Sequence, residues 1–199
     1  DISSVYMDDG YLFFQVDPVE ARIENDSIDM EIRIFEGDQA TIGKVSVKGN
    51  TKTNDHVVVR EMYTKPGQLF SRSDVIRTTR ELASLGYFNA ETLNPDIQPN
   101  PSDGTVDIEY QVEETSSDQI ELSAGWGYNK LILTLGLTLN NFSFKNMFKK
   151  GAWTPLPGGD GQKLSFRVQT YGTTYLYYGA SFTEPWLGGK KPNSFTTSL

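Results

Sequence analysis

Gln119-Ile120-Glu121-Leu122-Ser123-Ala124-Gly125-Trp126-Gly127-Tyr128 places Ile120, Leu122, Ala124, Trp126 and Tyr128 on one side of an extended chain and mostly polar or small residues on the other. That period of two is the mark of a strand with one apolar face. Asn129-Lys130 reads as a turn, and Leu131, Leu133, Leu135, Leu137 and Leu139 then make a second apolar row. Leu164, Phe166 and Val168 make a third, and Leu176, Tyr178, Ala180 and Phe182 a fourth. A fifth strand begins near Ser194. Such rows approach the roughly 9–11 residues that a tilted strand needs to cross a bilayer. Aromatic residues gather toward strand ends and turns, at Phe142, Phe144, Trp153, Tyr171 and Trp186, as interfacial girdles do. On pattern alone a membrane barrel and a soluble β-sandwich both fit. Because the smallest barrels have about eight strands, five imply a piece of a longer chain.

The 199 residues carry 18 Lys+Arg against 26 Asp+Glu, a net charge of −8, which argues against a general nucleic-acid binder. No apolar run approaches the ~18 residues of a transmembrane helix. With no cysteine and one histidine, His56, a disulfide framework, a zinc cluster or a conventional Ser-His-Asp triad has little to work with. No P-loop or Gly-x-Ser-x-Gly elbow is present, so neither an enzyme nor a cofactor or metal site is expected. The Gly158-Gly159-Asp160-Gly161 run reads as a flexible loop, and His56 as surface polar. The average charge conceals a step: residues 1–118 hold 10 basic and 23 acidic residues (net −13), and residues 119–199 hold 8 and 3 (net +5). The basic stretch also has 14 of the 24 aromatics. Two environments are implied, divided near Glu114-Thr115-Ser116-Ser117-Asp118.

Within the acidic stretch, the same strand pattern occurs twice. Ile28 to Glu36 and Val106 to Glu114 both alternate apolar and polar, as on an antiparallel sheet covered on one side. Between them a helix is predicted from Ser71 to Leu85. Ser71 and Asp74 supply a capping box, Phe70 and Val75 a hydrophobic staple, and Val75, Ile76, Thr79, Leu82 and Ala83 an apolar stripe ending at Gly86. A second helix is expected over about Asn54 to Tyr63, despite the β-branched Val57-Val58-Val59. Ala40 to Lys48 reads as a strand and Gly49-Asn50 as its turn. The order strand, helix, helix, strand, strand gives an α+β module over 37–116. Residues 1–36 read as the end of a preceding copy, and 117–199 as the first strands of an antiparallel transmembrane β-barrel, with a soluble sandwich as the alternative on pattern alone.

This order of elements resembles the BamA branch of the outer-membrane protein assembly family, in which polypeptide-transport-associated (POTRA) modules precede a membrane β-barrel. The residues that carry the resemblance are Gly49-Asn50-Thr51-Lys52-Thr53, Arg60-Glu61-Met62, Pro66-Gly67, Leu82-Ala83-Ser84-Leu85-Gly86-Tyr87-Phe88, Gly125-Trp126-Gly127-Tyr128 and Glu184-Pro185-Trp186. The connection from Lys145 to Gln162 is longer than the family's short turn after the second barrel strand.

The resemblance implies a protein of the bacterial outer membrane with its POTRA module in the periplasm. It would fold and insert β-barrel clients without catalysis or cofactor, with unfolded outer-membrane proteins, accessory assembly lipoproteins and outer-membrane lipid as partners. The strand Gln119, Ile120, Glu121, Leu122, Ser123, Ala124, Gly125, Trp126, Gly127, Tyr128 would form one side of a lateral seam. Thr92, Leu93 and Asn94 would offer a POTRA edge for strand addition, and Glu61 matches a position for docking an accessory lipoprotein. A secretion pore of the same superfamily and a soluble periplasmic β-rich adaptor are the alternatives.

Overall fold

A computed structural model describes residues 2–24, 27–151, 153 and 156–199. In chain order the elements are α1 (Ile2–Asp8), β1 (Gln15–Glu24), β2 (Ser27–Phe35), β3 (Thr41–Lys48), α2 (Asp55–Val59), α3 (Arg72–Ser84), β4 (Asn94–Asn100), β5 (Thr105–Gln111), β6 (Gln119–Gly127), β7 (Lys130–Phe142), β8 (Gln162–Tyr171), β9 (Tyr175–Glu184) and β10 (Phe195–Ser198). They form two compact units. One comprises Asp1–Lys48, Met62–Ser84 and Thr92–Val112, and the other Gly49–Glu61, Leu85–Glu91 and Glu113–Leu199. Among the described residues no helix is long and apolar enough to cross a membrane.

In the first unit α3 forms where its capping signals place it. Ser71 Oγ accepts the Asp74 N–H at 3.3 Å, and the Asp8 carboxylate accepts the Ser73 N–H at 2.6 Å, so two N-terminal donors that the helix cannot satisfy internally are bonded. Phe70, Val75, Thr78 and Leu82 are buried. Ile76, expected on the apolar stripe, is 42% exposed, and Thr78 takes the inward position. The Thr78 hydroxyl is not stranded there, because it accepts the Tyr63 N–H at 3.0 Å. Gly86 follows the helix at φ +71°.

Strand order in the main sheet of this unit is β3-β5-β4. The central strand β5 buries Val106, Ile108 and Tyr110. It runs antiparallel to β4 but parallel to β3, with Thr41 opposite Thr105 and Lys48 opposite Gln111. The wholly antiparallel expectation is thereby corrected. Alternation reports which face is covered and is blind to strand direction, whereas the helical crossover between β3 and β5 permits parallel neighbours. The first copy of the pattern, β2, pairs with β1 in a separate two-stranded sheet, and its Ile28, Met30 and Ile32 are each more than half exposed. Identical patterning thus has a covered face in one copy and an open one in the other.

The expected helix over Asn54 to Tyr63 is cut to the five residues of α2. Val57 and Val58 are fully buried and Val59 is exposed. The β-branched run limits propagation, and Arg60 and Glu61 lie in the turn that follows.

The second unit holds a five-stranded antiparallel sheet in the order β10-β9-β8-β7-β6. Its register aligns Ile120, Leu137, Phe166 and Ala180 across one face, and Leu122, Leu135, Val168 and Tyr178 in the next row. Most of this apolar face is open: Ile120 is 77% and Leu122 81% exposed. The β6–β7 turn is corrected by one residue. Gly127 pairs with Lys130, so the loop is Tyr128-Asn129, with both residues at positive φ (50° and 59°), the signature of a two-residue type I′ hairpin. Tyr128 therefore leaves the strand and stands almost fully exposed.

Removing the Tyr110 hydroxyl, which lies 3.0 Å from Thr64 Oγ1, tests the packing of β5. Tyr110→Phe is expected to cost about 1–2 kcal/mol in thermal or denaturant unfolding, because the Thr64 hydroxyl stays buried without its partner. Adding Thr64→Val should recover some of that loss.

Candidate functional site

The second unit contains an edge strand and the polar framework at its base. Strand β6 pairs with β7 along its whole length, from Gln119 opposite Thr138 to Gly127 opposite Lys130. Its other edge has no strand beside it among the described residues. On the polar face Glu121 (β6), Gly136 (β7) and Arg167 (β8) share one register row. A Cβ at Gly136 would lie 3.1 Å from the Glu121 Cβ, so glycine there gives the carboxylate room to reach across β7. Both Glu121 oxygens accept from the Arg167 Nη2 at 2.8 and 2.9 Å. The pair is half exposed and tethers the edge strand only modestly.

The start of β6 is held from both sides. Asn140 of β7 donates its side-chain amide to the Ser117 carbonyl and its N–H to Asp118 Oδ1 at 3.3 Å. Just upstream, the Glu114 carboxylate is gripped by the Gly49-Asn50-Thr51-Lys52-Thr53 segment. It accepts the backbone N–H groups of Thr51, Lys52 and Thr53 at 2.9, 2.8 and 2.6 Å and the Thr51 hydroxyl at 2.6 Å. Successive N–H groups converging on one anion make a nest. Burial pushes the Glu114 carboxyl up, but these hydrogen bonds outweigh it and hold the group below its ordinary value of 4.5.

A second set of bonds centres on the 158–162 segment. Expected as a flexible loop, it is instead packed: Asp160 is 8% exposed. Asp160 accepts from Asn54 Nδ2 at 2.9 Å and from the Ser143 hydroxyl at 2.5 Å. His56 Nε2 stands 3.7 Å from the same carboxylate, so the histidine read as surface polar faces an acidic partner. Asn141 donates to Thr53 Oγ1 and accepts the Gly161 N–H, and the Gly159 carbonyl accepts the Asn54 N–H. Gly159 sits at φ +115°, and a Cβ there would come within 2.5 Å of the Lys52 carbonyl oxygen. Tyr87 donates its hydroxyl to the Gly161 carbonyl at 3.1 Å. Burial pushes its phenol up to about 12, with Arg60 pulling the other way.

Glu61 lies in the same framework. Its Oε1 accepts the Trp186 indole N–H at 2.6 Å, and the Arg60 guanidinium lies 5.6 Å from the Trp186 ring centroid. The residue read from sequence as a partner-docking position is therefore already bonded within its own chain. Sequence reasoning does not single out Trp186, Asn141 and Asp160 as members of this framework. The one signal it offers is the length and glycine content of the Lys145–Gln162 connection. The edge segment in the first unit is also corrected. Thr92 and Leu93 precede β4, and Leu93 is buried. Of the three residues only Asn94 lies on the strand, because an apolar side chain there serves the core before extended pairing starts.

The POTRA family, described as a surface antigen variable number repeat, matches residues 40–115. A putative outer membrane protein assembly factor from Treponema pallidum is 31% identical over 121 residues, covering 60% of this chain and 14% of that protein. The outer membrane protein assembly factor BamA of Neisseria meningitidis is 27% identical over 167 residues, covering 82% of this chain and 18% of the relative. The chain is BamA-like. Its POTRA module lies in the periplasm of a protein of the bacterial outer membrane. In fold, 99% of the chain superposes with a TM-score of 0.79 on 34% of a crystal structure of BamA from Haemophilus ducreyi lacking POTRA domains 1–3, at 24% identity. The chain spans about a fifth or less of the length of the curated relatives it matches.

Two substitutions test the framework. The folded pKa of Glu114 is depressed, so its stabilisation is complete above the ordinary carboxylate pKa and is lost as pH falls through the lowered value. Glu114→Gln is expected to lower stability by about 1–2 kcal/mol at neutral pH and to flatten the acid limb of a melting-temperature profile. Gly159→Ala is expected to cost at least about 2 kcal/mol, since it combines a positive φ with a backbone clash. The readout is earlier thermal unfolding followed by tryptophan fluorescence.

Proposed function

We propose that this chain is the junction of an outer-membrane protein assembly factor, in which β6–β10 cross the membrane within a β-barrel and β6 forms one side of a lateral seam. The observation that carries the reading is the one-sided pairing of β6 in a sheet with an apolar face. In lipid, every unpaired backbone N–H and C=O of an incoming strand lacks water, so a free strand edge lowers the cost of insertion by offering ready-made partners. The clients are unfolded outer-membrane proteins. Gly125 and Gly127, within β6, reduce side-chain packing near the hairpin end and ease bending there. The process exchanges hydrogen bonds and calls on no catalytic group or cofactor.

Two accessory surfaces belong to the same reading. Strand β4 is an edge of its sheet, and Asn94 marks where an extended client segment would begin to pair. Pro95 and Pro99 each remove a donor from that edge, so pairing there is weak. Glu61 is proposed to dock an accessory lipoprotein. A basic partner group there would share the carboxylate with Trp186 or displace the indole.

The test is a disulfide that joins β6 to the strand closing the barrel in a protein of its relatives' length. With cysteines at Leu122 and its partner position, oxidation should stop insertion of a radiolabelled β-barrel client into membranes, and reduction should restore it. Equal insertion in oxidised and reduced states would overturn the seam.

A further inference from the structure

Two connections lie at the end of the sheet where β6 begins: the one from β7 to β8 and the one from β9 to β10. Between them the apolar face opens into a groove of about 710 Å³ whose walls include Phe144, Leu164, Phe166, Phe182, Leu187 and Phe195. The same two connections carry Lys145, Lys149, Lys150, Lys190 and Lys191, five of the eight basic residues in 119–199. All five are exposed, and none makes an ion pair among the described residues. The acidic residues nearby do not offset them. Asp160 is buried and bonded by Asn54 and Ser143. Glu184 lines the groove but accepts from Gln162 Nε2 at 2.8 Å and from the Trp186 N–H at 3.1 Å.

An open apolar groove bordered by two connections that carry exposed, unpaired ammonium groups is complementary to a molecule with a long alkyl chain and an anionic head. On the β7–β8 connection the exposed Trp153 adds an amphipathic ring of the kind that settles at headgroup level, and the exposed Phe148 adds apolar surface beside it. We propose that this end of the sheet docks an anionic phospholipid of the periplasmic leaflet, with its phosphate among the lysines and an acyl chain in the groove. The inference rests on the reading of the sheet as membrane-spanning. It adds a selective lipid site to what would otherwise be a uniform lipid-facing surface. Each lysine near a membrane surface attracts anionic lipid through an interaction that salt screens.

The experiment reconstitutes a protein of the relatives' length that contains this chain in phosphatidylcholine bilayers and measures, by electron spin resonance, the association of spin-labelled phosphatidylglycerol relative to spin-labelled phosphatidylcholine. At low salt the expected preference is at least about threefold. It should fall toward one in high salt and in a variant carrying Lys149→Gln, Lys150→Gln, Lys190→Gln and Lys191→Gln. A ratio near one for the unaltered protein in the bilayer overturns the lipid site and leaves the membrane reading standing. A preference that survives both salt and the variant also overturns it. A protein of the relatives' length that never enters the bilayer overturns both. Should the variant not fold, the salt series on the unaltered protein decides alone.

Discussion

A carboxylate in a nest of backbone donors sets the geometry from which the rest of the second unit follows. Three consecutive N–H groups, from Thr51 to Thr53, point at Glu114, and a segment without regular secondary structure becomes fixed because its donors have one obligatory target. Once fixed, Thr53 Oγ1 accepts from the Asn141 side-chain amide, and Asn54 donates both its side-chain amide and its N–H to the 158–162 turn. The first residues of β6 follow Glu114 by a few positions, so the edge strand leaves a base already defined on both sides. The charge is largely local in effect, yet it determines where the sheet begins.

The 158–162 turn shows how a polar segment can serve as a core. Asp160 accepts from Asn54 and Ser143, Asn141 accepts the Gly161 N–H, and Tyr87 closes one side. Such a network favours a single arrangement because its buried members, Asp160 and Ser143, would be penalised if left unpaired. Among the described residues, Arg60 has an unmet group: its Nε is buried without a hydrogen-bond partner, 3.6 Å from Glu61 Oε1.

What can be read from the residues divides along physical lines. Alternation over β6 to β9 and capping at Ser71 are local signals, and they place those elements to within a residue or two. Strand direction beside β5 is hidden because a period of two is the same for parallel and antiparallel neighbours. The end of α2 is hidden because Val57-Val58-Val59 suits a helix or a strand, and tertiary burial of the first two decides. The Gly158-Gly159-Asp160-Gly161 run carries composition only. Its order comes from bonds to residues about a hundred positions upstream, which no local pattern encodes. For the same reason Glu61 reads as an exposed helical acid, although Trp186, 125 residues later, occupies its carboxylate.

The Tyr128-Asn129 turn bears on the order in which the sheet assembles. A two-residue loop brings β6 and β7 together with minimal loss of chain entropy, and hairpins of that kind form in about 1–10 μs. Joining β8 to β7 requires closure of the 143–161 connection, which is tied to Asn54 through Gly159 and Asp160. The edge strand therefore acquires its one partner early, and the remainder of the sheet is added against a ribbon that already exists.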